Sequence, residues 1–131
     1  MMPSAQRTWC EWIAYFNGVA SRESDRLDQL LDRGPAPSTA PLIVQEFLQG
    51  LRGTDAFHAA SALDHFDRLE APSYAVHEEA ATLARRFRLS GNTSSTVDTL
   101  IVQMAVHHGV MLLTRDRMQA DLARFARVRL A

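Results

Sequence analysis

The stretch Val110–Thr114 constrains the fold more than any other part of this chain. VMLLT is a continuous apolar run of strand length, entered from Gly109 and left through Arg115 and Asp116. A strand with one wet face alternates apolar and polar residues. An uninterrupted run suits a strand covered on both faces, as in a parallel sheet. The flanking segments have helical period. Upstream, Val97, Leu100, Ile101, Met104 and Ala105 recur at three- and four-residue steps until Gly109 stops the helix. Downstream, RMQADLARFA is a helix following Asp116. Further upstream, Ala80, Leu83, Ala84 and Phe87 point inward, Arg85, Arg86 and Arg88 outward, and Gly91 ends that helix. Short strands alternating with helices predict an α/β domain built on a parallel sheet.

The remaining segments fit this pattern. Trp12, Ile13, Phe16 and Val19 predict a helix beginning near Cys10, and Ser21 caps a second with Leu27, Leu30 and Leu31 on one face. Ser38–Ala40 is a short extended segment, after which Pro41 suits the first turn of the helix PLIVQEFLQGLR. Thr54 or Asp55 caps another helix, with Phe57, Ala60, Leu63 (or Asp64), Phe66 and Leu69 as its apolar stripe. Pro72–Val76 reads as a short strand, and RVRL as a last extended piece. At 131 residues the chain is expected to form one domain, 1–131. With 47% hydrophobic residues it does not read as a disordered chain. Its apolar runs are too short to span a bilayer, and its start lacks the apolar core of a signal peptide, so a cytoplasmic location is expected. The single Cys10 excludes an internal disulfide framework and a multi-cysteine zinc site.

The net charge of −1 hides a segregation. All fourteen basic residues are arginine; residues 1–84 hold six of them against twelve acids, and residues 85–131 hold eight against three. Arginine's planar fork suits phosphate recognition. Two of the three acids in the basic segment, Asp98 and Asp116, are candidate site residues, together with Glu46. Ligands in open parallel sheets bind beyond the carboxyl ends of the strands. Glu46 follows the extended segment at 38–40, Asp98 lies near the start of an apolar helix, and Asp116 comes three residues after VMLL. Carboxylates gathered at one edge repel and imply a cation between them; hard oxygen donors favour Mg²⁺ or Mn²⁺ over zinc. Such a site suits phosphoryl chemistry, because the metal lowers the pKa of bound water. Each acid also has a simpler reading: Glu46 as a helix-surface charge, Asp98 as a helix N-terminal charge, Asp116 as a turn acid. His107 and His108 fit the C-terminal end of a helix dipole better than a metal site, and no Gly-rich phosphate loop is present.

The run TVDTLIVQMAVHHGVMLLTRDR resembles the C-terminal half of the PIN domain, as in VapC-type toxins of bacterial toxin–antitoxin pairs, where a "VDxLIA…HG…LLTRD" arrangement carries the third and fourth acids. PLIVQEFLQGLR resembles the helix carrying that family's second acid, and WIAYFNG its first helix. The resemblance implies an α/β/α sandwich with a four- to five-stranded parallel sheet. It implies a metal-dependent endoribonuclease acting on RNA with Mg²⁺ or Mn²⁺, and Glu46, Asp98 and Asp116 as its metal-site acids. It also implies a homodimer or higher assembly, inhibited by an antitoxin that a chain of this length leaves to a separate polypeptide. Three features depart from the pattern. Setting Trp12 and Ile13 on the last two residues of the family's "DTSVWI" puts Thr8 where the first Asp is expected, with Glu11 the nearest acid, three positions later. Ser94 and Ser95 occupy the region where an Arg often precedes the third acid, and Met118 replaces an acid often found just after TRD. The missing first Asp gives a second expectation: a catalytically impaired PIN-fold protein that binds RNA or an antitoxin.

Overall fold

Leu112 and Leu113 are 1% and 2% exposed, as a strand covered on both faces requires. They belong to β4 in a computed structural model that describes residues 8–10, 38–49, 67–114 and 116–130. The described elements are β1 (Thr8–Cys10), β2 (Ser38–Thr39), α1 (Pro41–Gln49), β3 (Asp67–Arg68), α2 (Tyr74–Leu89), α3 (Thr96–His108), β4 (Met111–Leu113) and α4 (Arg117–Phe125). The strands form one sheet in the order β3-β2-β1-β4, and every neighbouring pair is parallel. Their carboxyl ends therefore share one edge. On the other side of β4, Leu130 makes a parallel bridge to Leu112, and the Leu112 N–H donates to the Arg129 carbonyl at 2.9 Å. The end of RVRL thus pairs with the sheet, while Arg127, at φ 62°, belongs to the turn after α4 and is not extended.

The helix α3 is the hub of the core. It packs against α1, α2, α4 and β4. Val102 and Met104 are wholly buried, and Leu122 and Ala123 of α4 are buried with them in the same cluster. The apolar face expected from sequence was narrower: Val97 and Leu100 prove half-buried, while Val102 lies at the centre. A helix contacted from several sides is apolar around most of its circumference.

Local chemistry sets the helix ends. Ser73, Ser95 and Asp116 are the N-caps of α2, α3 and α4, each accepting from the backbone N–H three residues on. After α2, the Asn92 N–H returns to the Phe87 carbonyl and the Gly91 N–H to that of Arg88, with Gly91 at φ 94°. This Schellman pattern needs a left-handed residue, which glycine supplies without steric cost.

Three sequence expectations are corrected. Pro72–Val76 is not a strand: Ser73 starts α2 there, and Val76, at 2% exposure, begins the buried row continued by Ala80, Leu83 and Phe87. Leu69 is not on a helix but follows β3; its N–H donates to the Thr39 carbonyl at 2.7 Å and its side chain is buried. Cys10 does not open a helix but ends the central strand β1. The helices expected between residues 11 and 34, and the stripe from Phe57 to Phe66, lie outside the described residues.

Candidate active site

Two of the three candidate acids stand at helix N-termini on adjoining helices. Asp98 is the third residue of α3, and Asp116 is the N-cap of α4. Asp116 follows the carboxyl end of β4 with Thr114 and Arg115 between, and its N–H donates to Thr114 Oγ1 at 3.1 Å. A carboxylate in the first turn is favoured by the helix dipole, so each acid has a local reason for its place.

One residue joins them. Gln119, at 4% exposure, donates its backbone N–H to Asp116 Oδ1 at 3.0 Å and its side-chain Nε2 to Asp98 Oδ1 at 3.1 Å. The two carboxylates thus meet on a single buried amide residue. Neither Oδ2 has a hydrogen-bond partner among the described residues, and neither carboxylate forms an ion pair there. Asp116 is exposed and Asp98 half-buried, so water reaches both.

Glu46 lies in the second turn of α1. This helix starts just past the carboxyl end of β2, separated from it by Ala40, and packs against α3. The helix carrying Glu46 is therefore next to the helix carrying Asp98; the Glu46 side chain lies outside the described residues. No group of three or more His, Cys, Asp or Glu close enough to hold a metal occurs among the described residues. The donors that are described are hard carboxylate oxygens with an oxygen to spare on each, a set that fits Mg²⁺ or Mn²⁺ and not a thiolate-seeking metal.

The β1 register bears on Thr8. Thr8 pairs with Met111 at the start of β4, and Cys10 pairs with Leu113 at its end. At about 3.3 Å per residue, the Thr8 backbone sits roughly 7 Å short of the carboxyl edge. By this register the β1 residue at the carboxyl edge is Cys10 and not Thr8. Glu11, the next residue in the chain, lies outside the described residues. At the same edge Thr39 is buried, and its Oγ1 has no hydrogen-bond partner among the described residues.

The PIN domain family matches residues 12–125 of the chain. The chain belongs to the PIN-domain family. The match begins at Trp12, after β1, so it leaves out the segment where the first acid would be sought. PIN domains have an α/β/α fold, are generally nucleases and typically use divalent metal ions, which supports a nuclease-type function for this chain. No curated protein matches the chain. No helix among the described residues is long and apolar enough to cross a membrane.

Gln119 escaped the sequence reading. Its signal was present, since Asp116 and Gln119 have the spacing of a capping box. That motif predicts a side chain turned back to its own cap, not one reaching another helix.

Proposed function

We propose that this PIN-domain protein is an Mg²⁺- or Mn²⁺-dependent endoribonuclease of the VapC type. In this proposal Glu46, Asp98 and Asp116 hold the metal, the active form is a cytoplasmic homodimer, and a separate antitoxin chain inhibits it. The observation that carries the nuclease reading is the meeting of Asp98 and Asp116 on Gln119, beyond the carboxyl end of β4. A divalent cation, when bound, supplies Lewis-acid activation of water and neutralises charge on the phosphodiester. The carboxylates bind and orient it. Calorimetric titration with Mg²⁺ and Mn²⁺, run beside an RNA cleavage assay, tests the reading. Metal binding with cleavage supports it. RNA binding without metal binding at millimolar concentration supports the impaired, binding-only reading, whose ground is the missing first Asp.

The β1 register also supports Glu11 as the acid that completes the set, because Glu11 follows Cys10 directly in the chain. Thr8→Ala is then expected to leave cleavage within about twofold. Glu11→Gln is expected to lower it on the order of 100-fold, as loss of a charged ligand does. Equal rates for Glu11→Gln and the parent protein would return the site to three acids.

A groove of about 380 Å³ between α2 and α3 supports an RNA path. His77, Arg85 and Arg88 line one side, and Ser94, Thr96 and Thr99 the other, next to Asp98 in sequence. Arg85 and Arg88 form no ion pair among the described residues, whereas Arg86 turns away and lies 5.8 Å from the centre of the Phe125 ring. Two uncompensated guanidinium groups beside hydroxyl donors suit a phosphate backbone. The double variant Arg85→Ala/Arg88→Ala should bind every single-stranded RNA more weakly. Its plot of log K against log salt should flatten by roughly 1.4, the share of two phosphate contacts. An unchanged slope in a salt titration would move the RNA path elsewhere.

A further inference from the structure

Two capping boxes in this protein are left open, and their side chains meet instead. Ser95 and Asp98 at the start of α3, and Asp116 and Gln119 at the start of α4, both have the spacing at which the later side chain folds back onto the N–H of its own cap. Neither does. The Asp116 N–H is satisfied by Thr114 Oγ1 at 3.1 Å, so Gln119 is not needed at its own helix end. The Gln119 Nε2 crosses to Asp98 Oδ1, at a sequence separation of 21 residues, while its backbone N–H holds Asp116 Oδ1. Asp98 makes no other side-chain hydrogen bond among the described residues.

We propose that Gln119 is a positioning residue that clamps the Asp98 and Asp116 carboxylates side by side, fixing each by Oδ1 and leaving each Oδ2 to a divalent cation; this rests on the nuclease reading above. A buried amide is suited to the task. The side-chain amide donates to Asp98 while the backbone N–H of the same residue donates to Asp116. The two carboxylates are thus ordered without an added charge that would compete with the cation, as an arginine or lysine in its place would. Its own orientation is fixed by burial and by the helix it belongs to. The side chain therefore transmits the position of α4 to a carboxylate on α3.

Gln119→Met tests the clamp. Methionine keeps the length and approximate volume of glutamine and the backbone bond to Asp116, and removes only the donor to Asp98. Loss of a group that orients a metal ligand typically lowers metal affinity by about 10–100-fold. Calorimetry with Mn²⁺ on the whole protein should show a drop of that size for Gln119→Met, with the thermal midpoint giving the separate structural effect. The Gln119 side-chain amide, assigned in a ¹H–¹⁵N spectrum by its absence in Gln119→Met, should shift in Asp98→Ala. Mn²⁺ affinity in Gln119→Met equal to that of the parent overturns the clamp and leaves the nuclease reading intact, as does an amide signal indifferent to Asp98→Ala. A parent protein that binds no Mn²⁺ at millimolar concentration overturns both.

Discussion

Asp98→Asn is expected to lower metal-dependent RNA cleavage by at least about 100-fold and to leave the fold unchanged. Groups that merely orient a ligand already cost about 10–100-fold when removed, so losing the charge of a ligand should cost no less. The fold should survive for local reasons. Asparagine has the shape of aspartate, and its Oδ1 can still accept the Gln119 Nε2 bond now made by Asp98 Oδ1. The Ser95 cap does not involve the Asp98 side chain, because Ser95 accepts from the Asp98 backbone N–H at 3.0 Å. Cleavage rates and a thermal melt, taken on the same preparation, read the two effects apart. Unchanged cleavage by Asp98→Asn would remove the proposed site. Asp116→Asn offers the same separation on α4, since Asn and Asp are comparable N-caps.

Leu122→Ala is expected to produce the largest loss of stability among single core changes on α4. Leu122 is wholly buried and belongs to the cluster that includes Met104 of α3 and Leu112 of β4. Removing a buried leucine to its Cβ costs about 2–5 kcal/mol, the range reflecting how far the cavity can collapse. For a domain of this size each kcal/mol lowers the melting temperature by about 4 °C, so a fall of roughly 8–20 °C is expected in a calorimetric scan. Activity measured well below the melt should change far less than in Asp98→Asn, because Leu122 belongs to the apolar core cluster and is not itself a proposed ligand. A shift under about 2 °C would mean that the packing between α3 and α4 is looser than the burial indicates.

How much was legible in the sequence depended on how local the cause was. The strand β4 was legible because VMLL is apolar without interruption and is bounded by Gly109 and the polar TRD. The helix α3 was legible from its apolar period and its stop at Gly109, and α4 as the segment RMQADLARFA after Asp116. The strand β1 was not. Thr-Trp-Cys carries no alternation and follows a polar stretch; its extended state comes from backbone pairing with Ser38 on one side and Met111–Leu113 on the other. Tyr74–Val76 misled in the opposite direction. Tyrosine and valine favour strands, but the row Val76, Ala80, Leu83, Phe87 already had helical spacing, and burial of that row decides the outcome.

The site divides the same way. Asp98 and Asp116 stood out in the sequence because they are two of only three acids in an arginine-rich stretch, one early in an apolar helix and the other just past an apolar strand. Those positions are set by helix and strand boundaries, which arise from short-range period and capping. The bond from Gln119 to Asp98, the packing of the Glu46 helix on α3, and the register that puts Cys10 rather than Thr8 at the sheet edge join residues far apart in the chain. The sequence by itself determined the helices α3 and α4, the strand β4 and the carboxylates at their ends. Only the tertiary structure decided which of those groups face one another, because contacts between helices and strand registers are fixed by core burial across the whole domain and not by neighbours in the chain.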